Sequence, residues 1–426
     1  MKLLFLTSNL PWPLEFHGGA QRTALMLDAL RRFAEVDLAY VHWSEAAVQA
    51  ARHTQVEGHK IVSAFHVPEH RDPVRRSVLS FLPLIGKPFR TADAHVAWYQ
   101  PDAEFSGWLS RTASGGHYDA VISRYLWPGA VGGLAGLRNV PKLLDWDDLD
   151  HLKLESQLQA KPWQGPGGRL AARLTRKAVT RYCLDAASSY DHVWVAKAAD
   201  CRHVPAKSVS VLPNIPFPEA GSDHAQAPAP GKHRDIVFIG NLSYLPNAEG
   251  FSWFLMNVWP QVFNRFPDAC LTAIGVLPPP ETKALWDQAR GVHLTGPVPE
   301  LAPYYAGAAL SICPVQWGGG SNIKAIESLG YGVPCVVSSY TFKAFSEDFG
   351  DSSGMIHADT AEEFVNACIR LLSDPGHGAD IGRAGRNIVD QRYSLPRLQS
   401  LLQDGLRGAG LAVPRAAAAD DTPPSG

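Results

Sequence analysis

The sequence predicts an α/β protein built of two Rossmann-like, doubly wound parallel domains. Short β-rich runs bounded by turn residues recur along the chain, and segments of helical period lie between several of them. The two sets of runs are separated by the stretch 213–234, where Pro, Gly and Ala crowd with polar residues and no period survives. At 426 residues the chain exceeds the usual size of a single core, and 46% hydrophobic with 19% charged residues is an ordinary globular mixture.

In the first half, strands are expected at 2–7, 36–42, 60–67, 118–123, 141–145, 192–196 and 208–212. The opening MKLLFLTSNLPWP is apolar, but it breaks at Asn9 and Pro11 and no small-residue cleavage pattern follows, so it reads as a first strand rather than a signal peptide. A helix is expected from Ala20 to Phe33, with Leu25, Leu27, Leu30 and Phe33 on its inner face. In the second half, strands are expected at 235–240, 270–275, 292–296, 310–314, 334–338 and 355–358, with a last helix from Tyr393. The expected division is an N-terminal domain over 1–212, a linker over 213–234, a C-terminal domain over 235–392, a closing helix over 393–408 and a disordered tail over 409–426.

Composition excludes several classes of function. A formal net charge of -2 gives no electrostatic basis for binding nucleic acid. The cysteines are scattered, with no CxxC pair, which reads as reduced thiols and a cytoplasmic setting. No apolar run approaches the roughly 18 residues of a spanning helix. No G-x-G-x-x-G follows an expected strand, so a nicotinamide-dependent dehydrogenase fits poorly.

The segment WGGGSNIKAIESLGYGVPCVV, from Trp317 to Val337, is the richest in chemistry. An expected strand leads into Gly318-Gly319-Gly320-Ser321 and then a helix from about Asn322 to Gly330. Glycines there leave backbone N–H groups bare for phosphate or sugar oxygens. Lys324 adds a cation in the first turn, which fits a nearby anion. Glu327 lies one turn on and can accept two hydroxyls of a ribose. The alternative is a flexible loop followed by a surface Lys–Glu pair.

The order strand, glycine-rich loop, helix ending in Gly-x-Gly-x-Pro, apolar strand resembles the donor-binding signature of glycosyltransferase family 4, whose members are retaining enzymes of GT-B architecture. Pro213-Asn214, Phe238-Ile239-Gly240 and Leu294-Thr295-Gly296-Pro297-Val298 agree with that pattern. The resemblance implies two domains facing a central cleft, with a C-terminal helix returning toward the N-terminal domain. It implies acceptor binding by the first domain and nucleotide-sugar binding by the second. Gly240, Asn241, Pro297 and Val298, with Gly319, Gly320, Ser321, Lys324 and Glu327, are then the donor-binding residues, Glu327 being the ribose ligand. Two departures stand out. The family's first glutamate falls on Gly319, and the cations often found after the first strand of the second domain are missing from Gly240-Asn241-Leu242-Ser243-Tyr244-Leu245-Pro246-Asn247.

By the same resemblance, Gly18 and Gly19, expected between the first strand and the first helix, approach the diphosphate and acceptor, with Arg22 adding charge. The bland alternative is a tight turn. Asp145-Trp146-Asp147-Asp148-Leu149-Asp150 follows an apolar strand, and acids so crowded repel unless they are bound, paired or solvated. Asp145 and Asp147 match a metal-binding DxD. A hydrogen bond from Asp147 or Asp148 to a sugar hydroxyl fits better, and helix capping by Asp148 or Asp150 is the structural alternative. Asp147 and Gly19 are the catalytic candidates, and no metal or resident cofactor is expected.

Arg169, Arg173, Arg176, Lys177 and Arg181 share one helix face, either solvated or turned toward a phosphorylated acceptor or an anionic membrane. The apolar run 78–89 lies between basic flanks and suits core packing or a polyprenyl acceptor. The function implied is transfer of a sugar from a nucleotide-diphosphate donor to a glycan or lipid-linked acceptor, in bacterial surface polysaccharide or glycoconjugate assembly, in the cytoplasm or at the inner face of the membrane. The competing readings are a degenerate sugar-nucleotide-binding or glycan-binding protein and a sugar-nucleotide epimerase of the same build.

Overall fold

The computed structural model of the chain describes residues 1–11, 18–56, 58–69, 87–216, 234–319 and 321–413. The chain divides into two compact units, Met1–Pro213 with Leu395–Gly426, and Asn214–Ser394. Most of the expected linker, most of the apolar run 78–89 and the end of the tail lie outside the described residues.

The first unit holds β1 (Lys2–Thr7), β2 (Glu35–His42), β3 (Lys60–His66), β4 (Ala120–Arg124), β5 (Lys142–Asp145), β6 (His192–Val195) and β7 (Val209–Val211). Their order is β3-β2-β1-β4-β5-β6-β7, and each neighbouring pair is parallel. A sheet covered on both faces needs strands that are apolar throughout rather than alternating. β1 meets this need: Leu3, Leu4, Phe5 and Leu6 are all fully buried. The first helix, Gly18–Arg31, begins two residues earlier than expected and buries Leu25, Met26, Leu27 and Leu30. Phe33 falls beyond its end, in the turn that leads to β2.

The last helix, Leu395–Gly408, leaves the second unit's stretch of sequence and packs in the first, against Gly18–Arg31 and β6. Gly405 makes this approach possible. A Cβ there would stand 2.2 Å from Trp194 Nε1, so only glycine lets the helix lie on the fully buried Trp194 ring.

The second unit holds β8 (Asp235–Ile239), β9 (Cys270–Ile274), β10 (Val292–Gly296), β11 (Ala308–Cys313), β12 (Cys335–Val337) and β13 (Met355–His357) in the order β10-β9-β8-β11-β12-β13, again all parallel. Its core gathers Phe238, Phe251, Phe254, Trp259, Leu310 and Phe364 between the sheet and its helices.

The loops after β8 and β9 touch through backbone alone. Gly240 N–H donates to Ile274 O at 2.9 Å, and a Cβ on Gly275, whose φ is +133°, would lie 2.1 Å from Gly240 O. Gly275→Ala is therefore expected to displace the Gly240 loop and to destabilise the protein by about 1–3 kcal/mol in urea unfolding. A midpoint and slope equal to those of the unsubstituted protein would show that the loops have room.

Candidate functional site

In the second unit Gly240 and Asn241 follow β8, Pro297 and Val298 follow β10, and Gly319, Ser321, Lys324 and Glu327 follow β11, all at the carboxyl end of the sheet. The helix there is shorter than the sequence suggests, Lys324–Gly330. Asn322 adopts a left-handed φ of 51°, and its Nδ2 donates to the buried Thr341 Oγ1 at 2.9 Å, which holds the chain out of helical geometry until Lys324.

The glycine block is also less bare than expected. Gly319 N–H donates to Tyr244 Oη at 3.3 Å, Tyr340 Oη donates to Gly318 O at 2.7 Å, and Asn214 Nδ2 donates to Ser321 Oγ at 3.0 Å. The block is a tied loop, and a ligand reaching the Gly319 amide must displace a phenol. Gly320 lies outside the described residues.

Lys324 projects from the helix toward Gly240. Its Nζ donates to Asn247 Oδ1 at 2.7 Å and sits 4.6 Å from the centre of the Phe238 ring. Asn247 Nδ2 in turn donates to Asn241 O at 2.9 Å. Burial pushes the Lys324 ammonium below the usual lysine range, although Cys313, Cys335 and Glu327 act the other way. The loop after β8 has no cation of its own, but through Asn247 it aims one from another element. Pairing across that distance leaves no local mark, since Asn247 is one of several polar residues in the helix Leu245–Asn257.

Glu327 is 8% exposed, and its Oε1 accepts a hydrogen bond from Tyr305 Oη at 3.0 Å. Tyr305 stacks on Tyr331 at 4.4 Å, and burial, then Glu327, raise its phenol well above the ordinary value. Val298 packs against the cluster containing Tyr305, while Pro297 stays exposed. The loop after β10 and the carboxylate of Glu327 are thus joined by one tyrosine that the sequence did not single out.

In the first unit, Gly18 and Gly19 open the helix Gly18–Arg31 rather than a loop before it, and a Cβ on Gly18 would meet open space. Arg22 is 4% exposed and committed: Nε and Nη2 donate to Asp145 at 2.9 and 2.5 Å, and Nη2 also reaches Leu212 O at 2.9 Å. That geometry replaces the expected diphosphate-facing charge with a buried ion pair. Arg124, at the end of β4, completes the network. It is fully buried, lies 3.1 Å from Asp145 Oδ2, and holds Asp147 through Nη1 at 2.8 Å and Nη2 at 3.0 Å.

Two guanidiniums therefore neutralise Asp145 and Asp147, which leaves this pair of carboxylates unlike an open metal-binding DxD. Burial alone would raise the Asp147 carboxyl, but Arg124 and Arg22 hold it below the usual range. Tyr125, next in the chain, has a φ of 69° and lies with its ring 3.8 Å from the Arg124 guanidinium, a strained backbone at the rim of the ion cluster.

Neither Asp148 nor Asp150 caps a helix. Asp148 pairs with Lys153 at 3.3 Å, and Leu149 occupies the capping position of the helix Asp150–Ala160. Asp150 is half-buried, desolvation raises its carboxyl, and it accepts from Trp146 Nε1 at 2.8 Å and Tyr99 Oη at 2.9 Å. Arg169, Arg173, Arg176, Lys177 and Arg181 are all exposed on the helix Gly165–Ala187, with Arg176 paired to Glu155 and Arg181 to Asp185. Among the described residues, no cluster of three or more metal-ligating side chains forms, and no helix is long and apolar enough to cross a membrane.

Two parallel sheets of Rossmann strand order, with the C-terminal helix returned to the first unit, define the GT-B fold. Residues 233–374 match the family model described as Glycosyl transferases group 1. No curated protein sequence matches the chain.

Solved structures match over nearly the whole length. Sucrose-phosphate synthase from Thermosynechococcus elongatus is 16% identical with a TM-score of 0.61, covering 95% of this chain and 98% of that one. Anabaena HepE in complex with UDP is 13% identical, TM-score 0.62, covering 96% and 100%. Trehalose 6-phosphate synthase from Burkholderia multivorans is 11% identical, TM-score 0.62, covering 96% and 97%. Identities this low establish the fold.

Proposed function

We propose that this chain is a retaining glycosyltransferase that moves a sugar from a nucleotide-diphosphate donor to an acceptor hydroxyl. The observation that carries the reading is Lys324 and Glu327 on one short helix, the first aimed at Gly240 by Asn247, the second buried and held by Tyr305. They offer a cation for a diphosphate and a carboxylate for a ribose on adjacent turns. Asn241, Pro297 and Val298 lie in the loops after β8 and β10 and would face the rest of the nucleotide, with Gly19 and Asp147 of the first unit serving the acceptor. The HepE structure was obtained with UDP, which makes a uridine diphosphate donor the first to try.

On this reading the anomeric C–O bond to the diphosphate breaks, the acceptor oxygen bonds to the same carbon with configuration retained, and the departing diphosphate oxygen takes the acceptor's proton. The chain's part is positioning and stabilisation of the leaving charge by Lys324, with no protein nucleophile. Bacterial surface polysaccharide assembly is the setting proposed, and the glycosyltransferase WaaG, whose structure is described as involved in lipopolysaccharide biosynthesis, has the same fold at 13% identity.

The test is a thermal-shift panel of UDP, GDP, ADP and their sugars, with Glu327→Ala beside the unsubstituted protein. One nucleotide at 100 Kd should stabilise by about 2.7 kcal/mol, and the variant should show a much smaller shift. If none of the nucleotides raises the midpoint, or if Glu327→Ala responds as fully as the parent, the donor site lies elsewhere. A shift with no sugar released in any assay would favour a binding protein.

A further inference from the structure

The carboxyl end of the seven-stranded sheet carries a second constellation, made of aromatic rings. β2 and β4 flank β1, and there the winding reverses, outward through β2 and β3 on one side and through β4 to β7 on the other. Open α/β sheets bind ligands outside the carboxyl ends of their strands at such a switch point. Trp43 directly follows β2, and Trp127 lies in the helix Leu126–Val131 directly after β4. Their rings meet edge to face with centres 5.6 Å apart. Trp98, just past the helix Lys87–Ala97, stacks on Trp127 at 5.0 Å and meets Trp43 at 5.7 Å.

The three rings are not equivalent. Trp127 is 5% exposed and its Nε1–H donates to Trp98 O at 2.9 Å, so these two make a fixed floor that core packing explains. Trp43 is 40% exposed, with one face stacked on His42 at 4.0 Å and its carbonyl 3.1 Å from His66 Nε2. A large apolar ring held rigidly on one side and open on the other is a preorganised platform.

We propose that this platform is a saccharide subsite, on which a pyranose ring of the acceptor stacks its C–H face against Trp43. The proposal rests on the glycosyltransferase reading and names its acceptor class: a neutral sugar. The surroundings select that occupant. Ser44 and Glu45 follow Trp43 directly in the chain, and His66, the last residue of β3, lies with Nε2 3.1 Å from the Trp43 carbonyl. An acyl chain would desolvate these polar groups without pairing them, and the Glu45 carboxylate, two residues on in the chain, disfavours a phosphate or an anionic headgroup. Sugar hydroxyls pair with such groups while the ring covers the indole.

Saturation-transfer NMR on the full chain tests this with methyl glycosides of glucose, galactose, mannose and N-acetylglucosamine, and with n-hexyl phosphate as a lipid stand-in. At least one glycoside should be saturated on one ring face. That signal should vanish in Trp43→Ala and stay within about twofold in Trp43→Phe, which keeps an aromatic face. Hexyl phosphate should receive none. The proposal is overturned if no glycoside is saturated, if Trp43→Ala keeps the signal, or if hexyl phosphate gives the stronger response. Trp43 is exposed and remote in sequence from Lys324 and Glu327, so Trp43→Ala should retain the nucleotide thermal shift. Loss of that shift in the parent as well would sink the donor reading and leave the stacking result to be judged on its own signal.

Discussion

Replacing Arg124 by Met is expected to destabilise the protein by about 3–5 kcal/mol at pH 7, because it leaves buried carboxylates facing one another with one guanidinium gone. Arg124 is the only cation bonded to both Asp145 and Asp147 among the described residues, and all three are buried. The acid dependence follows from the direction of the Asp147 shift. Its carboxyl is held below its unfolded value, so its stabilising contribution is full above about pH 4 and fades as pH falls further, through the folded pKa. In Arg124→Met the sign reverses, since the unpaired carboxyl titrates above its unfolded value and the variant gains stability as it is protonated. The gap between the two proteins should therefore narrow from pH 7 toward pH 4, measured by urea unfolding at each pH. The double variant Arg124→Met with Asp147→Leu should recover much of the loss, because Arg22 still holds Asp145. Additive losses in the double variant would mean that the cluster does not act as a unit.

The strands were legible because each is a short run of apolar residues between turn residues, and their parallel order follows from the helices between them. All thirteen strands of the two sheets lie within a residue or two of where the sequence places them. Where the reading slipped, a side chain had taken over a backbone group. Asn322 delays its helix by bonding Thr341, and Leu149 rather than an aspartate stands at the start of Asp150–Ala160, because Asp150 is drawn inward to Trp146 and Tyr99.

The candidate site was legible only where its members share an element. Lys324 and Glu327 stand one turn apart and were found together. Arg22 and Asp145 are 123 positions apart, so a crowded acidic run and a lone helical arginine gave no sign that each answers the other. The same holds for Asn247 with Lys324, 77 apart, and Tyr305 with Glu327, 22 apart. A run of acids next to a strand end signals a network, and its cations have to be sought on the neighbouring strand and on the first helix.

Lys324→Met should lower sugar-nucleotide turnover about 10²–10³-fold while changing stability by no more than about 1 kcal/mol, or raising it. The two effects separate because of where the ammonium sits. Burial lowers its pKa relative to the unfolded chain, so the charged form opposes folding at neutral pH, and that penalty is relieved as pH rises through the lowered value. Met removes the penalty and fills the space over Phe238, at the cost of the one hydrogen bond that Lys324 donates to Asn247. The parent should thus gain stability with rising alkaline pH, and the variant should lack that component. A charge that weakens the fold where it stands is offset by an anion bound beside it, and under the proposed function that anion is the donor's diphosphate. Release of nucleoside diphosphate, followed for the sugar nucleotide that gives the largest thermal shift, measures the first effect, and urea unfolding across pH 7–10 the second. A variant that turns over as fast as the parent would remove Lys324 from the chemistry, and one that loses several kcal/mol would make it a structural cation bound to Asn247.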